Sequence, residues 1–135
     1  MPFKFEKLEV YQLALDYVDE IYELANQLPQ SENFNLKSQI TRAATSVALN
    51  IAEGSTGQSD PEQARFLGMA IRSVLETVAC LHIIQRRGFI SEAQVLEQAT
   101  ENARLLAAKL HAFRNAIKTP QKVQEPEAQY NIDDL

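Results

Sequence analysis

The chain has few of the residues and segments that disulfide-bonded, β-sheet, membrane and secreted proteins require. It holds one cysteine, so no internal disulfide can form, and this fits a reducing cytoplasm. Four glycines, five prolines and few alternating β-branched runs argue against a sheet protein. No uninterrupted apolar run approaches the roughly 20 residues of a membrane span. The first residues lack the apolar stretch of a signal peptide. We therefore expect a cytoplasmic protein with no membrane partner.

The composition that remains is that of one globular domain. A chain of 135 residues with 45% hydrophobic side chains can bury a core of ordinary size. Its formal net charge is −5, which disfavours non-specific nucleic-acid binding. The charge is unevenly spread: residues 1–28 carry net −4, whereas residues 61–118 carry eight basic and five acidic side chains. A local basic patch in the second half is therefore one interpretation, and ordinary solvated helix surfaces are the other.

Apolar residues recur at helical spacing in four segments. The predicted helices cover about residues 6–28, 36–53, 61–87 and 92–117. Asn35 is the predicted N-cap of the second helix, and Gly54 follows that helix. Asp60 is the predicted N-cap of the third helix, with Pro61 as its first residue. Short connections predict an all-α, antiparallel, up-down-up-down four-helix bundle over residues 1–118. Residues 119–135 are predicted to form a flexible acidic C-terminal tail.

The first predicted helix is apolar over a wider arc than a two-layer bundle needs. One row has the 3-4 spacing of a bundle seam and consists of Leu8, Tyr11, Leu15, Val18, Tyr22 and Ala25. A second row makes a candidate subunit interface: Val10, Leu13, Tyr17, Ile21 and Leu24. The third helix is apolar almost all round. Both patterns predict burial against a neighbouring copy.

Polar residues lie beside the apolar stripe of the second and third helices. The set, which ends at a glycine, is Gln39, Arg42, Ser46, Asn50, Glu53, Gly54, Ser73 and Glu76. An unpaired polar group at the edge of a core costs roughly 1–3 kcal/mol. We therefore predict a structural network in which Arg42 pairs with Glu76 or Glu53. Asn50 is expected to bond to backbone or to Ser73.

Patterns for catalysis and metal binding are missing from the sequence. A di-iron bundle needs Glu-x-x-His motifs, but alanines stand three residues before His82 and His111. One cysteine and two isolated histidines do not make a zinc site. Cys80 has no histidine or aspartate four residues away and is interpreted as an inert buried thiol. We predict no catalytic residues, no metal, no cofactor and no enzymatic activity.

Basic side chains of the second half are the candidate nucleic-acid contacts. They are Arg86, Arg87, Arg104, Lys109 and Arg114. Arginines scattered over an outer helical face can contact phosphates. The alternative interpretation of Arg86 and Arg87 needs no RNA, because positive charge at the end of a helix complements its dipole.

Several segments resemble one small bacterial family. The most specific is the string Ser-x3-Asn-Ile-Ala-Glu-Gly at residues 46–54, preceded by Gln39, Arg42 and Ala43. The resemblance begins at Phe5, includes Pro29 and Leu36, and continues with Phe66, Leu67, Ser73 and Glu76. The chain resembles the four-helix-bundle proteins encoded in intervening sequences of 23S ribosomal RNA, also called S23 ribosomal protein-like.

The resemblance implies a closed, barrel-like homopentamer, suspected interaction with ribosomal RNA, and no catalytic activity. The family is similar in fold to the accessory protein of diversity-generating retroelements, which binds a reverse transcriptase and nucleic acid. Two functions are therefore expected as alternatives. One is a non-enzymatic oligomeric bundle that binds RNA or a nucleoprotein partner. The other is a structural or adaptor protein that acts through protein–protein contacts, including contacts with such a reverse transcriptase.

Overall fold

The structure is a computed structural model that describes residues 1–57 and 59–118. Within these residues it is all-α and has no strand. Its four long helices are α1 (Glu9–Ala25), α2 (Leu36–Gly54), α3 (Asp60–Arg87) and α4 (Ala93–Lys118). Short 3-10 turns at Lys4–Lys7 and Gln30–Glu32 precede α1 and α2. The predicted all-α class and the four helices are confirmed, and the predicted tail lies outside the described residues.

Local chemistry explains where the helices begin and end. Gly88 ends α3 in the left-handed conformation with φ of 68°, as its position predicts. Ser59 rather than Asp60 is the N-cap of α3, because its Oγ accepts the Glu62 N–H at 3.4 Å. Asn35 does not cap α2 through its side chain. Glu32 on the preceding turn accepts the Leu36 N–H instead, at 3.4 Å.

The core is a single apolar cluster to which all four helices contribute. α3 packs extensively against both α2 and α4. α1 packs against α2 and more lightly against α4. α3 also has the length and apolar content of a membrane-spanning helix, contrary to the expectation from uninterrupted apolar runs. A long helix that packs in the core of a bundle can have the same length and apolar content.

The two apolar rows of α1 do not divide into core and subunit interface as predicted. Within one chain, four of the five candidate interface residues are buried at 0–3% exposure: Val10, Tyr17, Ile21 and Leu24. Leu13 is half-buried against the same core. The row assigned to the core is only partly buried, since Leu15 and Tyr22 are 38% and 48% exposed. Its other members are buried or pack partly buried against the core: Leu8, Tyr11, Val18 and Ala25. The predicted interface is therefore wrong for the four buried residues, because α2 and α4 approach the row that contains Tyr17.

Candidate functional site

A short polar seam lies where α2 meets α3. The Ser73 hydroxyl of α3 donates to the Ser46 Oγ of α2 at 3.0 Å. Asn50, one turn further along α2, donates its Nδ2 hydrogens to the Ser46 carbonyl and Oγ, both at 2.9 Å. All three side chains are half-buried. The prediction that Asn50 bonds to backbone is confirmed, and Ser46 links it to Ser73.

The charged members of the predicted network lie on the outer margin of this seam. Arg42, Glu53 and Glu76 are exposed, and Arg42 forms no ion pair with either acid. Gln39 donates to the Asn35 Oδ1 at 3.2 Å instead of joining the seam. The predicted Arg42 pairing is therefore wrong. Exposed charges gain about 0–1 kcal/mol from pairing, which is too little to order two long side chains.

Gly54 permits a close approach at the end of the same seam. A Cβ placed on Gly54 would lie 2.8 Å from the Cβ of Phe66 on α3. Next to this contact, Gln63 donates its Nε2 hydrogen to the Ser55 Oγ at 3.1 Å, and both residues are buried. The Ser-x3-Asn-Ile-Ala-Glu-Gly string therefore joins α2 to α3. Its identifiable chemistry is packing and hydrogen bonding.

A second polar pair, missed by sequence reasoning, lies in the core. The Tyr17 hydroxyl of α1 and the Thr77 Oγ1 of α3 are 2.7 Å apart. Thr77 in turn donates to the Val74 carbonyl, so Tyr17 acts as the donor to Thr77. Burial raises the pKa of the Tyr17 phenol well above its usual value. In the sequence, both residues occur at apolar positions of their helices. The pair can be recognised only in the structure, which places the two hydroxyls opposite each other in the core.

The five candidate nucleic-acid residues do not form one patch. Arg86 and Arg87 lie at the exposed end of α3, and neither forms an ion pair within the described part of the chain. Arg104 lies 3.6 Å from Glu101 on its own helix, and Lys109 binds Glu9 of α1.

Arg114 is placed differently from the other candidates. Its guanidinium lies over Gly68, where a Cβ would be 3.4 Å from the Arg114 Cζ. Its Nε is buried without a hydrogen-bond partner. Gly68 and Arg86 are separated by 18 residues of α3, or about 27 Å of helix. Arg86 and Arg87 are thus the exposed candidates without an acidic partner in the described residues. The Arg87 Cζ also lies 5.7 Å from the centroid of the Phe89 ring.

Reactive groups are kept apart or buried. Burial raises the pKa of the Cys80 thiol, and the nearby Glu76 carboxylate raises it further. A thiol held protonated in this way is a poor nucleophile. No group of three or more metal-ligating side chains occurs among residues 1–57 and 59–118. The absence of activity, cofactor and metal stays a prediction.

The comparison with known families gives one match. A family model described as 23S rRNA-intervening sequence protein matches residues 6–112, which include the polar seam, Gly54 and most of α4. No curated protein sequence is similar enough to count as a match.

Proposed function

This chain belongs to the 23S rRNA-intervening sequence protein family, and we propose that it is a non-enzymatic, oligomeric bundle that binds RNA. The observation that carries the proposal is the family match over residues 6–112. The exposed charges of Arg86 and Arg87, neither of which pairs with an acid in the described part of the chain, support RNA as the partner. Two neighbouring guanidinium groups at a helix end can contact successive phosphates of a nucleic-acid backbone.

The proposal includes an antiparallel, up-down-up-down course for the helices. Two pairs between α1 and α4 support it, since Glu9 binds Lys109 whereas Glu20, further along α1, binds the earlier Asn102. Two contacts between α2 and α3 follow the same rule: Ser46 meets Ser73, and Gly54 meets Phe66. In each pair of helices, one residue number rises as the other falls.

The proposal also includes assembly of copies, five by the resemblance. Apolar side chains that the core leaves uncovered support it: Leu15 and Tyr22 on α1, Leu49 on α2, and Met69, Leu75 and Ile83 on α3. Leu49 is 64% exposed and Leu75 is 51% exposed. Sedimentation velocity at micromolar concentration tests this part, and a monomer would contradict it.

A salt-titrated binding assay with a fluorescent RNA stem-loop tests the RNA part. Because phosphate contacts release counterions, affinity should fall steeply as salt rises. The double variant Arg86→Gln/Arg87→Gln should bind several-fold more weakly and show a smaller salt slope.

The matched control is Arg65→Gln/Arg104→Gln, which removes the same charge from two arginines that already pair with acids on their own helices. It should weaken binding less. Absence of saturable binding at low salt would overturn the proposal, and so would equal effects of the two double variants.

The acidic first quarter of the chain supports a second candidate function, that of an adaptor that contacts a protein. Residues 1–28 carry six acidic and two basic side chains. A basic protein partner, such as the reverse transcriptase of a diversity-generating retroelement, would suit that surface. The acidic tail, residues 119–135, lies outside the described residues.

A further inference from the structure

A groove with an apolar floor separates α1 from α4. It consists of two hollows of about 290 and 350 Å³ that share Glu20 and Glu23 in their walls. The first hollow is lined by Leu13, Asp16, Tyr17, Glu20, Glu23, Asn102, Leu105 and Leu106. The second continues along the same two helices as far as Gln27 and Glu92. Both hollows are open to solvent, so the groove is a surface feature and not a sealed cavity.

The floor and the rim of the groove differ in chemistry. Leu13 and Leu105 are half-buried, and together with the buried Tyr17 and Leu106 they give an apolar floor. Asp16 and Glu23 stand exposed on the rim. No lysine or arginine is among the described residues that line either hollow.

A polar contact joins the two helices across the groove. Asn102 of α4 donates to both carboxylate oxygens of Glu20 on α1, at 2.9 and 3.1 Å. α1 packs more lightly against α4 than against α2. Leu13 and Leu105, which line the hollow beside this contact, are only half-buried and can be reached from solvent.

We propose that this groove binds a basic amphipathic helix of a protein partner. Along α1 the groove extends from Leu13 to Gln27, about 21 Å, which is the length of a helix of about 14 residues. An apolar face of that helix would cover the leucine floor, and its lysines or arginines would meet Asp16 and Glu23. RNA does not suit the groove, because its phosphates would be repelled by the acidic rim. The inference goes beyond RNA binding and does not depend on it.

The probe for the test is a fluorescent 14-residue peptide with leucines at i, i+3, i+4 and i+7 spacing and lysines elsewhere. Binding to the full chain is followed by fluorescence anisotropy at low and moderate salt. The double variant Asp16→Asn/Glu23→Gln should bind about five- to tenfold more weakly. A second peptide with serines in place of the leucines should bind far more weakly to the unaltered chain, because it cannot cover the floor.

The matched control is Glu53→Gln/Glu76→Gln, which removes two exposed acids outside the groove. Its net charge is the same as that of Asp16→Asn/Glu23→Gln. It should bind the leucine peptide within about twofold of the unaltered chain. If both double variants weaken binding equally, the peptide is bound by general charge attraction alone, and the proposal is overturned. Equal affinity of the two peptides, or no binding of the leucine peptide at low salt, would also overturn it.

Two further measurements separate the alternatives. If Asp16→Asn/Glu23→Gln changes the sedimentation coefficient of the protein alone, a second copy occupies the groove and the proposal fails. The same variant should keep or slightly improve stem-loop RNA affinity, because it removes negative charge. Loss of RNA affinity would place RNA in the groove and contradict the inference without contradicting RNA binding itself.

Discussion

Gly54 stands where no larger residue fits without movement of a helix. The atom that a new Cβ would meet at 2.8 Å is the Cβ of Phe66, which is fixed to the α3 backbone. The variant Gly54→Ala must therefore push α2 and α3 apart at their connection. We expect a loss of about 1–3 kcal/mol in the free energy of unfolding, measured by urea denaturation.

Gly68 provides the matched control for that variant. A Cβ at Gly68 would meet only the end of the Arg114 side chain, at 3.4 Å, and a flexible side chain can move aside. Alanine is the better helix former by about 1 kcal/mol, so Gly68→Ala should be neutral or stabilising. If the two variants unfold at the same urea concentration, the close approach at Gly54 contributes nothing.

His111 makes stability depend on pH in a defined direction. Burial lowers its pKa below the ordinary 6.5, and the positive charge of Arg114 lowers it further. The folded state therefore favours the neutral imidazole. Above about pH 6.5 the imidazole is neutral in both the folded and the unfolded chain, so its lowered pKa does not affect stability. Below that pH the unfolded chain binds the proton more readily than the folded chain, so stability falls.

Part of the decrease in melting temperature between pH 7.5 and 5.5 should disappear in His111→Gln. The exposed His82→Gln serves as control; an equal effect there would contradict the assignment.

At the scale of elements, the Tyr17–Thr77 hydrogen bond connects α1 to α3. Thr77→Val keeps the shape of the side chain but leaves the buried Tyr17 hydroxyl without its partner. We expect a loss of about 1–3 kcal/mol in the free energy of unfolding. Tyr17→Phe should cost less, and the double variant should cost less than the sum of the two single changes. Additive costs in urea denaturation would show that the two hydroxyls do not stabilise each other.

Helix number and approximate bounds could be read from the sequence, because they depend on local chemistry. Gly88 and Pro61 mark the ends of α3, and the 3.6-residue repeat fixes what lies between. The orientation of α1 could not be read in the same way. Its two apolar rows are adjacent and both have helical spacing, so the choice of the buried row depends on where α2 and α4 lie. That information is non-local.

The polar seam was partly predictable for a related reason. Asn50 and Ser46 are four residues apart on one helix, so their bond follows from helix geometry. The Arg42 pairing did not follow, because long charged side chains at a seam's outer margin keep their hydration. The Glu32 contact to α2 was missed because it depends on the 3-10 turn that precedes the helix.

At the scale of the whole molecule, exposed apolar side chains on α3 should decide association. Leu75 and Ile83 are 51% and 48% exposed, so neither is needed to fill the core. The variant Leu75→Lys/Ile83→Lys should sediment as a smaller species while its helical circular dichroism is unchanged. Gln39→Lys/Gln85→Lys adds the same charge at two exposed polar positions and is the control. An unaltered sedimentation coefficient in the first variant would exclude this face of α3 from the proposed assembly.

The buried position of Tyr17 makes its phenol absorbance a probe of unfolding. The sequence has no tryptophan, so tyrosine dominates its near-ultraviolet absorption. An alkaline titration tests this, since Tyr22 is 48% exposed whereas Tyr17 is 3% exposed. Tyr17 is held protonated inside the core and should form phenolate only when the bundle opens. The last step in absorbance at 295 nm should therefore coincide with the loss of helical signal, with no attached dye required.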